Sequence, residues 1–374
     1  MIEWIALNMT PGVGPRAATK LLERFGSADA VFHARRGELE ALRLQPETVD
    51  SIIKHEFREK AVGELERVKQ LGADVLILDD GSYPDLLREI DDPPPVLYVK
   101  GDWQACFEQP AVGVIGSRMC STYGENASEM LSRDLASRGI TIVSGLARGI
   151  DAAAHRGAIR GQGKTIAVMG TGIDGVYPKE HNKLVREILD SGGCLVTQFP
   201  LGTPPIAENF PYRNRIISGL SLGVLIVEAS ERSGSLITAR LAAEQNREVM
   251  AVPGNITSGN SFGTNYLIKS GAKLVQQWQD VVAELPSEIA ASILPPKMER
   301  AAEKAQQQPT LAPSDLSDNE RSIWEILTPD DSTHIDVLLE SSGLSFGDLN
   351  NALVSLDIRD LIRVLPGKHY ARRT

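Results

Sequence analysis

Residues 111–124 read AVGVIGSRMCSTYG. A short apolar run breaks at a glycine and leads into a helical pattern. This is the strand–turn–helix with which a dinucleotide-binding fold presents its glycine-rich phosphate turn. The turn departs from that fingerprint in three ways. Gly113 and Gly116 stand three apart, so G-x-G-x-x-G is absent. The middle reads Gly116-Ser117-Arg118, a cation where a dinucleotide needs close backbone approach. No acid ends the following strand pattern, where Ser144-Gly145 sits. NAD is disfavoured, and an arginine at the mouth of the turn suits a phosphate or an exposed base better than a buried pyrophosphate.

Outward from this stretch, apolar runs alternate with helical patterns: AVGVI, TIVSG, TIAVMG, GCLVTQF, GVLIVEA and EVMAVPG. The runs are short, unalternating and β-branched, as in strands covered on both faces. An open parallel α/β sheet of Rossmann type follows over 103–285. In such a sheet ligands sit outside the carboxyl ends of the strands. The segments there are GSR, SGLARGID (144–151), GTGIDGVYPKEHN (170–182), NFPYRNR (209–215) and SERSGSLITA (230–239). Glycine and serine leave amides free and helices start behind them, so each loop offers an anion site. Arg118, Arg148, Arg213, Arg215, Arg232 and Lys179 recur in these loops, more cation than one nucleotide needs. Pro211 fits the first position of a helix, which places Arg213 and Arg215 in its first turns, where an anion would relieve them. Phe210 beside them is read either as a base-stacking ring or as core.

Single residues allow competing roles. Ser144, Asp151 and His155 suggest a hydrolase triad, but no G-x-S-x-G elbow accompanies them, and His155 is read instead as a loop-bonding residue. Glu228 ends a strand and is open to three roles: a base, a ribose contact or a partner for a nearby arginine.

Net charge is −10 over 374 residues, of which 42% are hydrophobic and 24% charged. Residues 105–285 hold 17 Lys and Arg against 16 Asp and Glu, so the acid lies toward the ends. Cys106, Cys120 and Cys194 are far apart, which disfavours a zinc knuckle or a disulfide framework. No basic leader and no spanning apolar run occur, so a cytoplasmic protein is expected. Residues 1–102 read as a helical N-terminal domain and a lead-in to the core. There TPGVGPRAATKLLERFG resembles a helix-hairpin-helix whose Gly12 and Gly14 amides face a phosphate, or a plain turn in a small bundle. Residues 286–317 have linker composition. Residues 318–374 give three helices and two strands about Pro366-Gly367, a winged helix. Its third helix carries Asp348 and Asp357, and its six basic against ten acidic residues favour a protein contact over DNA.

The stretches YPDLLREIDDPPPVLYVKG, GVIGSRMCSTYG, IVSGLARGIDAAAH, VMGTGIDGVYPKEHNKL, FPYRNRIISGLSLGVLIVEASERSGSLITA and VPGNITSGNSFGTNYLIKSGAKLV together resemble the DNA-processing protein A family (DprA, also called Smf) over about 83–275. The resemblance implies an extended Rossmann fold and a cytosolic homodimer. It implies a protein that binds single-stranded DNA and loads the RecA recombinase during natural transformation, with no catalysis, cofactor or metal. The candidate nucleic-acid-binding residues are Gly116, Ser117, Arg118, Ser144, Gly145, Ala147, Arg148, Gly149, Lys179, Phe210, Arg213, Asn214, Arg215, Ser233, Gly234 and Ser235. Thr197-Gln198 stands where many members have Ser-Glu, which puts an acid's role there in question. The alternative is a nucleotide or nucleoside-phosphate hydrolase on a related sheet, but the matching loop ERSGSLITA lacks that group's acid. A scaffold working through the acidic ends is a third reading.

Overall fold

The computed structural model describes residues 1–294, 316–329 and 332–373. Nine strands form one sheet in the order β1-β2-β6-β5-β4-β3-β7-β8-β9. They are β1 Ala73–Ile77, β2 Val96–Gly101, β3 Ala111–Ile115, β4 Thr141–Ser144, β5 Thr165–Val168, β6 Cys194–Thr197, β7 Gly223–Ile226, β8 Glu248–Ala251 and β9 Lys273–Leu274. From β6 to β9 all pairs are parallel, and β1 and β2 join antiparallel at the far edge. Every residue of β3 is buried. Val112 and Val114 pack with Leu131, Leu135 and Ala154 on one face. Ala111 and Ile115 pack with Ile216 and Ile217 on the other. Two covered faces are the reason the run reads as continuously apolar rather than alternating.

The six runs that the sequence marks as strands are β3 to β8. The sheet also takes in β1 and β2, which lie in the lead-in before residue 102, and the two-residue edge strand β9. Chain order runs outward from β3 through β4 and β5 to β6, and then returns to place β7 against the free side of β3. Such a reversal opens a crevice at the carboxyl ends of the two central strands.

Six helices within Ile2–Gln70 form a bundle against the β1 end of the sheet, around Leu7, Leu21, Leu39 and Ile52. Gly12 (φ +80) lies where the side chain of Thr48 leaves no room for a Cβ, and Thr48 Oγ1 donates to Pro11 O at 2.9 Å. Glycine there serves the turn and its packing. At the start of the segment expected as linker, helix Ser287–Ile293 sets Ile289 and Ile293 against the sheet core. Residues 295–315 lie outside the described residues.

The C-terminal unit comprises helices Asp318–Ile326, Ile335–Ser342 and Phe346–Ile358 with strands β10 Thr333–His334, β11 Ile362–Leu365 and β12 His369–Arg372, ordered β10-β12-β11. This is the winged helix expected from the sequence, with β10 as an additional strand. It rests on helix Thr122–Ala136. Arg363 pairs with Glu125 at 3.1 Å and Glu129 at 3.2 Å, and Asn126 Nδ2 donates to Pro329 O at 2.8 Å.

Candidate nucleic-acid interface

The turn after β3 is anchored at both ends. Ser117 N donates to Glu228 O at 2.8 Å, which ties it to the end of β7, and Ile150 N donates to Ser117 O at 3.2 Å. A Cβ on Gly116 would lie 2.7 Å from Ile150 Cγ1 and 2.8 Å from Glu228 O, so the close passage of three segments requires glycine there. Arg118, beyond this anchor, is exposed. Among the described residues no carboxylate pairs with it, and its guanidinium lies 5.3 Å from the Phe210 ring centroid.

A cleft of ≈ 600 Å³ opens at this turn, between the carboxyl ends of β3 and β7. It collects ten of the sixteen candidates: Gly116, Ser117 and Arg118; Ala147; Phe210, Arg213 and Asn214; and Ser233, Gly234 and Ser235. A smaller pocket beside it adds Gly145 and Arg148. Ser144 and Gly149 support the walls. Ser144 Oγ donates to Val114 O at 2.6 Å, and Gly149 (φ +71) passes against the carbonyl groups of Ser117 and Arg118. Lys179 is exposed on the neighbouring 170–182 loop and lines neither cavity. Arg148, also exposed, pairs with Glu180 of that loop at 2.5 Å.

Two arginines do not behave as solvent-facing phosphate contacts. Arg213 is 4% and Arg215 3% exposed. Arg213 Nη2 donates to Gly145 O at 2.7 Å, and the carboxylate of buried Asp151 accepts from Gly145 N at 3.2 Å and Ala147 N at 3.3 Å. Burial lowers the Arg213 pKa to about 10 against the pull of Asp151, and burial pushes the Asp151 pKa up against the pull of Arg213. Arg215 turns the other way. Its Nη2 donates to Gln198 Oε1 at 2.5 Å and its Nη1 lies 3.3 Å from Asp92. Arg215 is therefore corrected from a strand contact to a support beneath helix Asn209–Gly219. The amide of Gln198 meets that arginine, and Asp92 supplies the acid.

Glu228 is likewise settled by its partners. Its carboxylate accepts from Ser121 N at 2.8 Å and Ser121 Oγ at 2.5 Å, so it holds the start of helix Thr122–Ala136. The triad geometry is absent, because Ser144 bonds Val114, Asp151 bonds Gly145 and Ala147, and His155 Nδ1 meets Thr165 Oγ1 at 2.7 Å. Among the described residues no group of three His, Cys, Asp or Glu could hold a metal. No described helix is long and apolar enough to cross a membrane.

Tyr177 and Ile237 also line the cleft and are not among the candidates that the sequence singles out. Tyr177 sits within the loop GTGIDGVYPKEHN, where an aromatic beside a loop proline is the signal that points to it.

Residues 74–286 match the family model of DNA recombination-mediator protein A, and residues 307–368 match that of the DprA winged helix domain. Protein Smf of Escherichia coli is 41% identical over 297 residues, which cover 79% of this chain and 76% of that protein. DNA processing protein DprA of Streptococcus pneumoniae is 47% identical over 208 residues, 56% of this chain and 72% of that protein. The X-ray structure of DprA from Streptococcus pneumoniae superposes with a TM-score of 0.67 at 36% identity, covering 76% of this chain and 98% of that one. DNA processing protein A from Helicobacter pylori, whose structure describes a single-stranded DNA binding mode, gives 0.51 at 31% identity over 56% of this chain and 93% of that one.

Proposed function

The chain belongs to the DNA recombination-mediator protein A family, and from that premise we propose that it binds single-stranded DNA in the cleft between β3 and β7. The observation that carries the reading is Arg118. It stands exposed and without an ion-pair partner among the described residues, at the mouth of an amide-rich turn. The exposed guanidinium suits a phosphate, and the Tyr177 ring on the same cleft suits a base. Ser233 to Ser235, at the start of helix Ser235–Glu244, face the same space from the β7 side. No catalytic step is assigned to the protein.

The family description as a recombination mediator supports the finer reading: a cytosolic protein that hands incoming DNA to the RecA recombinase during natural transformation. A homodimer through the core is part of that reading. It is supported by the open sheet edge at β9, where Leu274 and Tyr266 are exposed. Fluorescence anisotropy of a labelled oligonucleotide, titrated across a salt series, tests the central proposal. Saturable binding that weakens with salt is expected. Absence of binding, with turnover of a nucleoside phosphate in a parallel assay, would favour the hydrolase instead. Light scattering of the intact protein checks the dimer, and RecA strand exchange with and without the protein checks the hand-over.

A further inference from the structure

The aromatic ring that the sequence brings forward, Phe210, is wedged in place. It lies on Gly170, where a Cβ would come within 3.0 Å of the ring. The guanidinium carbons of Arg118 and Arg213 stand 5.3 and 5.9 Å from its centroid. Tyr177 closes on it from the side, with centroids 5.7 Å apart and planes inclined at 46°. A base cannot slide between two rings this close. Tyr177 itself is 44% exposed, and it lines both the main cleft and the smaller pocket next to Arg148. Across the same cleft, Met119 and Ile237 are 85% and 46% exposed. The cleft thus has cations at its floor and an apolar rim, and Tyr177 is the rim's ring.

We propose that Tyr177 stacks a nucleobase of the bound strand, so that the bases turn in toward the rim while phosphates meet Gly116 to Arg118. This rests on the reading of the cleft as a single-stranded DNA site. Phe210 is then the backing that fixes the tilt of Tyr177, and Arg118 is held on Phe210 ready for a phosphate. A stacking ring is indifferent to base identity, because every base offers a π-face.

The test compares the intact wild-type protein with Tyr177→Ala and Tyr177→Phe. Binding is measured to an oligonucleotide carrying one abasic position, moved along the strand, and to one carrying 2-aminopurine at the position the scan identifies. Removing one base–aromatic stack should weaken the Tyr177→Ala variant by about 5- to 150-fold. Tyr177→Phe keeps the ring and should keep the affinity. The slope of log affinity against log salt should not change, since every phosphate neutralised by the wild type is still neutralised. At one abasic position the wild type should weaken as far as Tyr177→Ala does, and the variant should weaken no further there. 2-Aminopurine at that position should be quenched by the wild type and by Tyr177→Phe. Wild-type affinity shared by Tyr177→Ala, an equal fall in Tyr177→Phe, or additive losses at every abasic position would overturn the proposal and leave the cleft reading standing. No affinity of the wild type for the oligonucleotide would remove both. Should Tyr177→Ala fail to fold, the abasic scan and the quenching of the wild type and Tyr177→Phe still decide, and an unquenched probe rejects the stack.

Discussion

Asp151 and Arg213 grip Gly145 from two sides: the carboxylate accepts its amide at 3.2 Å and the guanidinium donates to its carbonyl at 2.7 Å. Both side chains are buried, and a Cβ on Gly145 would collide with the guanidinium. The wall of the cleft is therefore fixed by charge that the solvent does not screen. Removing the guanidinium leaves the buried Gly145 carbonyl without its charged donor, a loss of about 1–3 kcal/mol, while Asp151 keeps its two amide partners. Arg213→Ala is expected to lower stability by that order in urea unfolding. Arg213→Lys should recover only part of it, since it keeps the charge and loses the fork. Unchanged unfolding midpoints in Arg213→Ala would show that the grip contributes nothing.

Arg118 should behave in the opposite way. It is exposed and unpaired among the described residues, so Arg118→Ala should leave the melting temperature unchanged. Oligonucleotide affinity should fall, and the salt slope should decrease by about 0.7, the share of one single-strand phosphate. Lysine should restore the slope more fully than the affinity. Preference among oligonucleotide sequences should hold, as phosphate contacts carry no base information. An unchanged slope at normal affinity would take Arg118 out of the site.

The contrast between these two arginines marks how far the sequence can be read. The central strands are legible because burial on both faces leaves an apolar signature, and the cleft is legible because its turns are glycine and serine at the ends of those strands. Read from the sequence, Arg213 and Arg215 face one strand of DNA together. They are two apart on a helix, so they point about 200° from each other. The spacing alone separates one toward Gly145 from one toward Gln198, and that signal is present in the sequence. Burial is not, because it depends on Asp92 and Asp151, which come from distant segments. Edge strand β9, two exposed residues long, leaves no periodic trace at all.

The winged helix should be separable from DNA binding. Its third helix is acidic at Asp348 and Asp357, and four of its five arginines are occupied. Arg359 pairs with Glu320, Arg373 with Asp360 and Arg363 with the core, while Arg372 lies 4.2 Å over the Trp324 ring. Arg363→Ala leaves Glu125 with Arg156 and Glu129 with Arg160, so the core should keep its melting temperature. Limited proteolysis should release the 318–374 unit sooner than from the wild type. Deleting 318–374 should shift oligonucleotide affinity by less than about tenfold, roughly 1.4 kcal/mol. A larger fall would make the winged helix a DNA-binding element.

His155 should make the core sensitive to acid. It is fully buried on helix Ile150–Arg160. Thr165 Oγ1 donates to Ile142 O at 2.8 Å, so the 2.7 Å contact to His155 Nδ1 is made by an Nδ1–H donating to the hydroxyl. Nε2 is buried and has no hydrogen-bond partner among the described residues. A second proton there would find no acceptor. Burial, reinforced by the positive charge of His181, Arg213 and Arg156, takes the pKa from 6.5 down to about 3. Between those values the unfolded chain binds a proton that the native protein refuses. The contribution to stability is therefore complete above the unfolded pKa and is lost as pH falls toward the folded one. The slope is about 1.4 kcal/mol per pH unit for one proton. Asp151, whose pKa burial raises, acts in the opposite direction over the carboxylate range, so the comparison must isolate the histidine. His155→Gln keeps a group able to bond Thr165 and cannot take the proton. Urea unfolding of both proteins at pH 7.5 and 5.0 should show the wild type losing about 2 kcal/mol more than the variant over that interval. Equal losses would mean that His155 is protonated in the native protein and that its pocket is wetter than its burial implies.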